Sequence, residues 1–295
     1  LDSLLVFLQV PQEVYSPMRT YLWIVFWGIP YSCLYNFYAA MLRAVGDSVT
    51  PLYFLALSVA LNVVLDIVFI LLMKEGIAGA AIATVIAQAV SALGLGMYAY
   101  FRRPELRWKR EDCRWDSTSL KEILSFSTLT CLQQSVMNLG ILLVQGLVNS
   151  FGAAVMAAFT IAVKIDSFAY MPVQEFGNAF STFIAQNFGA RQHERIRKGI
   201  KAAFLLSGLF SVFVSICVYF YAKPLMQLFI APTEQEIVQI GIQYLHTEGL
   251  FYIGIGFLFL LYGYYRAVRM PGMSVILTLL SLGTGAVLAY LLASI

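Results

Sequence analysis

A chain of 295 residues with 60% hydrophobic and only 12% charged residues, and a mean hydropathy of +0.78, is not a soluble globular protein, in which roughly a quarter of residues are charged. The net charge of +3 is too slight to point to nucleic acid, and two histidines, His193 and His246, offer too little imidazole for a histidine-built metal site or catalytic triad. Cys33, Cys113, Cys131 and Cys217 are scattered without metal-ligand spacing and read as small apolar fillers. Apolar runs of helical length recur, whereas a transmembrane barrel shows short alternating segments, so the expected fold is an all-α, polytopic helical bundle in the lipid bilayer. The chain opens on Leu1 rather than Met and is expected to begin inside a larger gene product.

The first apolar run covers residues 20–41 and is interrupted by Gly28 and Pro30, breakers that membrane helices tolerate where neighbours satisfy the freed backbone. Pro51 opens the second span, 52–72, whose 21 residues reach about 31 Å at 1.5 Å each, enough to cross a hydrocarbon core. It carries Asn62 and Asp66, one helical turn apart on one face. A carboxylate at that depth is costly unless paired, protonated or ion-bound, so Asp66 reads as functional; the alternative is a packing contact to a neighbouring helix. Asn62 has an oxygen to share with a cation and an amide to donate to the carboxylate. Lys74 and Glu75 mark a tight loop, and the third span, 77–101, opens on small residues that let another helix approach closely.

Residues 102–120 are the most charged stretch and must be aqueous. They divide an amino-terminal part, 1–104, with three helices, from a carboxy-terminal part, 120–295, with five, through a cytoplasmic linker at 105–119. The fourth span, 120–149, contains Gln133, Gln134 and Asn138, and amides in mid-span usually face protein or a cavity. The fifth, 153–186, carries Lys164, Asp166, Pro172 and Glu175. Two residues apart, Lys164 and Asp166 point to different faces; Lys164 answers Glu175, a substrate anion, or a purely structural charge. A basic loop at 191–201 precedes the sixth span, which runs to about 222, and residues 223–235 resemble an interfacial turn. The seventh span, 237–265, holds Glu248 near its start, and the eighth covers 273–293.

With eight spans, fifteen of the 19 cations fall on one side, three (Arg19, Lys74, Lys223) on the other, and Lys164 inside a span. The first side is therefore cytoplasmic, with loops 43–50, 102–119, 189–199 and 266–272. Tyr21-Leu22 and Arg43-Ala44-Val45 recur as Tyr244-Leu245 and Arg266-Ala267-Val268, displaced by 223 residues, and Pro11 to Glu13 recurs as Pro232 to Glu234. Six spans lie between the copies, so they share one orientation: a parallel repeat of a six-helix unit, as in transporters whose path runs between two bundles. The alternative is an interfacial Arg that recurs under the charge rule alone.

These residues resemble the multidrug and toxic compound extrusion (MATE) family of antiporters over essentially the whole chain. The resemblance rests on Arg43-Ala44-Val45-Gly46-Asp47 with Pro51, on Gly79-Ala80-Ala81-Ile82-Ala83-Thr84, and on Phe168-Ala169-Tyr170-Met171-Pro172. Its strongest piece is Gln186-Asn187-Phe188-Gly189-Ala190, which closes the fifth span much as the family's eighth helix closes. It implies twelve helices in two six-helix lobes, with this chain supplying the fourth to the eleventh, and a monomer in the inner (plasma) membrane. It implies export of organic, cationic or amphipathic compounds against H⁺ or Na⁺ by alternating access, with no cofactor and no metal beyond Na⁺ at Asp66. Asn62, Asp66 and Thr84 match the amino-terminal lobe's cation site; Thr84 by itself reads as a hydroxyl bonding back to its own helix. Where relatives carry acids on the seventh and tenth helices, this chain has Gln133, Gln134, Ser135 and the stretch Gly254 to Gly256. For the substrate cavity we expect Gln133, Gln134, Asn138, Lys164, Tyr170 and Met171; Met137, Tyr252, Phe257 and Tyr262 either add an aromatic, polarisable lining or pack helices. A related reading is a flippase for lipid-linked or anionic substrates; a membrane-embedded enzyme lacks a catalytic set in the spans.

Overall fold

The computed structural model describes residues 2, 12–107, 115–231 and 233–293, and their regular structure is helical without a strand. In chain order the helices are α1 (Gln12–Phe26), α2 (Ile29–Ala44), α3 (Val49–Asp66, continued by a π-helical turn, Ile67–Leu72), α4 (Gly76–Arg102), α5 (Ser117–Asn149), α6 (Ala153–Gly189), α7 (His193–Gln227), α8 (Gln235–Gly249), α9 (Tyr252–Ala267) and α10 (Pro271–Ala293). Among the described residues, α3 with its π-helical turn and α4, α5, α6, α7 and α10 are each long and apolar enough to cross a bilayer. Residues 108–114 of the expected linker, with Cys113, and Pro11 and Pro232 of the expected repeat lie outside the described residues.

Three sequence expectations are revised. The first run is two helices of 15 and 16 residues, about 23 and 24 Å long, parted at Trp27 and Gly28, so neither alone matches the roughly 30 Å core. The expected continuous span 237–265 is likewise two helices, α8 and α9, bent by 53° at Gly249 to Tyr252. Finally, the stretch 189–199 is not a loop throughout: after Arg191, at φ +54°, helix resumes at His193, and α7 continues past 222 to Gln227.

Both broken pairs obey the 223-residue displacement element by element: Gln12–Phe26 matches Gln235–Gly249, and Ile29–Ala44 matches Tyr252–Ala267. The closing turns match too. Gly46 at φ +90° and Arg269 at φ +63° occupy corresponding positions, followed by Asp47 N–H to Leu42 carbonyl at 2.9 Å and Met270 N–H to Tyr265 carbonyl at 2.9 Å, the Schellman way of ending a helix. Glycine reaches that conformation freely, whereas Arg269 pays roughly 1 kcal/mol for it and reaches Glu122 of α5 at 2.9 Å.

The chain divides into two units, Leu1–Trp115 and Asp116–Ile295. In the first, α1, α2 and α3 all pack on α4. The small residues of α4 make this possible: a side-chain carbon added at Gly94 would lie 2.7 Å from Phe54, and one at Gly96 would lie 2.8 Å from Tyr38. Ala39, Leu42, Leu95 and Ala99 form the core beneath. Outside it, Leu52, Val59, Val63 and Leu72 of α3 are exposed, an aggregation hazard in water and an ordinary exterior in hydrocarbon. At the α2–α3 turn, Asp47 accepts from the Thr50 N–H at 3.0 Å, the Thr50 hydroxyl at 2.9 Å and Arg103 at 3.0 Å. Burial pushes this carboxyl up, but the Thr50 amide, Arg103 and the Thr50 hydroxyl outweigh it and hold it below its ordinary value.

In the second unit, α6 is the central helix, packed by α7, α8 and α9, while α5 packs on α10. Asp116 caps α5 through the Thr118 N–H at 2.9 Å and the Ser119 N–H at 3.3 Å. α6 and α9 meet backbone to backbone: an added carbon at Gly177 would meet the Phe259 carbonyl at 2.9 Å and one at Gly263 the Gly177 carbonyl at 2.5 Å. Two clusters flank this contact, one centred on Ile165, Met226, Leu245 and Tyr252, the other on Phe180, Ile184 and Leu260.

Gly177→Ala should lower thermal stability by about 1–3 kcal/mol, because the obstruction is backbone; Gly254→Ala, with nothing within 4 Å, should leave the melting temperature unchanged or slightly raised. Asp47→Asn should destabilise the protein at neutral pH. Because the folded carboxyl sits below its ordinary 3.8, its contribution is present above that pH and lost as pH falls through the lowered value, so wild type and variant should converge there in melting experiments.

Candidate functional site

Ser58, Asn62 and Asp66 follow one another at four-residue spacing along α3 and face α4, forming a polar seam through an apolar helix pair. The Ser58 hydroxyl donates to the Ala87 carbonyl at 3.0 Å, and the Asn62 amide reaches the Thr84 hydroxyl at 3.5 Å. Thr84 in turn donates to the Ala80 carbonyl at 3.0 Å, the back-bond its residue type predicts, which leaves its lone pairs toward Asn62. Asn62 and Thr84 are thus brought together from two helices.

Asp66 is half-buried, and its Oδ1 is shut off from solvent without a hydrogen-bond partner. The ion pairs among the described residues join Arg19 to Asp2, Arg103 to Asp47 and Glu105, and Arg269 to Glu122; none reaches Asp66. The α-helix gives way to π-helix at the next residue, Ile67, a local widening often found at functional positions.

Gln88, one turn beyond Thr84 on α4, was not singled out by sequence reasoning. Its Oε1 is also buried without a partner, and it lies against Gly28 so closely that an added carbon there would be 2.2 Å away. The signal was present in the sequence as Thr84 and Gln88 at i and i+4, but nothing linear connected them to the α1–α2 break. The seam lines neutral amide and hydroxyl groups up in one row with a carboxylate, oxygen ligands of the kind that suit a proton or a hard monovalent cation rather than a soft metal.

The residues expected in a substrate cavity separate by face. On α5, Gln133 is buried while Gln134 and Asn138 are exposed. On α6, Lys164, Phe168, Met171, Glu175 and Asn178 form an exposed stripe at three- and four-residue intervals. Tyr170 is half-buried and stacks on Phe259 at 6.2 Å, so it points away from that stripe. Tyr252 and Tyr262 are buried and Phe257 packs on Phe204, which makes these rings packing elements. Lys164 has no ion pair among the described residues; Glu175 lies about 16 Å along the helix from it, too far to answer it. Near Glu175, Arg266 of α9 donates to Asn178 Oδ1 at 2.9 Å and Asn178 donates to Glu175 at 3.4 Å.

Asp166 was read from sequence merely as a neighbour of Lys164. It is 5% exposed, the most enclosed carboxylate among the described residues. Tyr252, the first residue of α9, donates its hydroxyl to Oδ1, while Oδ2 is buried without a partner.

The family model described as MatE matches residues 1–68 and 130–291. Among curated relatives, the probable multidrug resistance protein YpnP of Bacillus subtilis is 32% identical over 95% of this chain and 62% of its own length. The probable multidrug resistance protein NorM of Thermotoga maritima is 28% identical over 83% of this chain and 53% of its own length. The chain thus spans between half and two-thirds of these relatives. Among solved structures, a mutant of the Vibrio cholerae MATE transporter VcmN superposes with a TM-score of 0.89 at 24% identity, covering 95% of this chain and 63% of that one, and the same protein's bent form gives 0.88.

Proposed function

Since the chain belongs to the MatE family, a family of multidrug efflux transporters rather than enzymes, we propose that it forms part of an exporter that drives organic compounds out of the cell against H⁺ or Na⁺. The observation that carries the coupling is the carboxylate oxygen of Asp66, enclosed without a hydrogen-bond partner on a side chain that no ion pair among the described residues reaches. A carboxylate carried to that depth in a membrane helix is costly unless it is paired, protonated or ion-bound. Asp66 takes the ion, and Asn62 and Thr84 supply neutral oxygens beside it. Release follows when the seam opens to water on the other side, so one acid whose surroundings alternate couples ion entry to substrate exit. The names multidrug resistance protein and multidrug export protein, carried by relatives, support organic compounds as cargo.

The cargo path runs along the exposed faces of α5 and α6. Ionisable groups in membrane helices face a bundle interior or a water-filled cavity, and Lys164, Glu175 and Asn178 share one face of α6 with Phe168 and Met171. The polar groups solvate a charged head, and the ring and thioether receive an apolar body. Glu175 lies beside Arg266 and Lys164 has no partner among the described residues, an observation that favours acceptance of anionic amphiphiles alongside organic cations. The protein acts as a monomer in the plasma membrane with the 43–50 and 266–272 turns in the cytoplasm.

In vesicles containing the full-length gene product, Asp66→Asn should abolish the dependence of dye efflux on an imposed H⁺ or Na⁺ gradient; unchanged ion dependence would remove the role given to Asp66. Asn62→Ala and Thr84→Val should raise the coupling-ion concentration for half-maximal transport by roughly tenfold each, the loss of one neutral ligand or hydrogen bond. Lys164→Gln should slow anionic dyes several-fold while leaving cationic dyes unchanged, measured as a ratio of initial rates in the same vesicles.

A further inference from the structure

The break between α8 and α9 is held from two sides. From α7, the Ser215 hydroxyl donates to the Gly249 carbonyl at 2.6 Å, capping an acceptor that the interrupted helix has released. From α6, Asp166 accepts the Tyr252 hydroxyl at the first residue of α9. Its second oxygen is enclosed without a partner of its own. The corresponding break in the other unit, between α1 and α2, faces the neutral Gln88 instead.

The surroundings of Asp166 contain no base among the described residues. Tyr244 of α8 and Tyr252 of α9 both present phenol hydroxyls to it, one from each arm of the bend; Glu248 of α8 is a second acid nearby, and Tyr170 on its own helix lies near Tyr244. α7 contributes Val214, Val218 and Ala222 to the same cluster, none of them titratable. Lys164 is two residues away on the exposed face of α6, while Asp166 is on the buried one. A carboxylate here therefore meets another acid and phenols rather than a cation.

We propose that Asp166 binds a proton and that this proton sets the bend between α8 and α9. When loaded, the proton sits on Oδ2, the carboxyl is neutral, Oδ1 accepts from Tyr252, and the 53° bend is stable as observed. On release the proton passes to water, with no other bond made or broken, and Oδ2 becomes a bare anion in an apolar cluster. The Tyr244 hydroxyl of α8 and entering water are the partners on offer, and drawing either onto Oδ2 requires the arms of the bend to shift against α6. The two protonation states thus differ in their contacts with the hinge, which is the condition for a proton to move it. This goes beyond the role given to Asp66, because it assigns the second unit a proton site of its own on a helix, α6, where the family resemblance placed no acid.

The test measures the hinge rather than transport. Spin labels at Thr160→Cys on α6 and Gln239→Cys on α8, both exposed positions, report the distance between the arms in the full-length protein in nanodiscs, with native cysteines replaced by serine. The wild-type background should show a distance distribution that shifts by several ångström from about pH 5 to about pH 8, the range open to enclosed carboxyls. Asp166→Asn should hold the low-pH distribution throughout, and Tyr252→Phe should populate the high-pH distribution already at low pH. Asp66→Asn should leave the shift intact, so a failure of ion coupling at Asp66 and a failure of this hinge are told apart. A distance independent of pH in the wild-type background overturns the proposal, as does a shift that survives Asp166→Asn or that is lost in Glu248→Gln instead. Should Asp166→Asn fail to fold, the wild-type series and Tyr252→Phe decide the question.

Discussion

Hydrocarbon offers no hydrogen bonds, so every polar group carried into this bundle must be met inside the protein, and most features of the structure follow from that. Ser58, Thr84, Thr160 and Ser167 each spend a hydroxyl on a backbone carbonyl. Breaks in the helices are tolerated where a side chain meets the freed group, as Ser215 does at Gly249. Against that background two carboxylate oxygens stand out, Oδ1 of Asp66 and Oδ2 of Asp166, each enclosed and each without a partner. The Ser207 and Ser211 hydroxyls and the Gln88 amide oxygen are also enclosed without partners, but of these groups only the two acids can carry charge.

The two broken helix pairs show how one architecture acquires different chemistry. Their helices have the same lengths and end in the same turn, with a left-handed residue followed by a bond back across five residues. What differs is the side chain presented to the break: the amide of Gln88 in one unit, the carboxyl of Asp166 in the other. An amide is neutral at every pH and an acid is not. A repeat that is symmetric in its backbone thereby presents an ionisable group at one break and a neutral one at the other.

Much of this was legible in the chain. Apolar runs separated by charged turns gave the membrane class and nearly all helix positions, because burial in lipid leaves a long and unambiguous signal. Asn62 and Asp66 were visible as an i, i+4 pair, and the 223-residue displacement was visible in Tyr21-Leu22 and Arg43-Ala44-Val45. The 53° bend was not, because no proline marks it and Gly249 is one glycine among 21. Nor was the helical start at His193, since a basic amphipathic turn and a basic loop have the same composition.

Local spacing by itself determined which residues share a helix face, and so paired Asn62 with Asp66 and separated Lys164 from Asp166. Hydropathy determined that those helices lie in a membrane. Only the packing of one helix on another decided what each face meets. Asp166 sits 86 residues before Tyr252, and Gln88 sits 60 after Gly28, distances over which no periodicity speaks. Enclosure of a carboxylate is a property of three dimensions: the same acid on the exposed stripe of α6, two residues away, would have stood on the surface of the bundle instead.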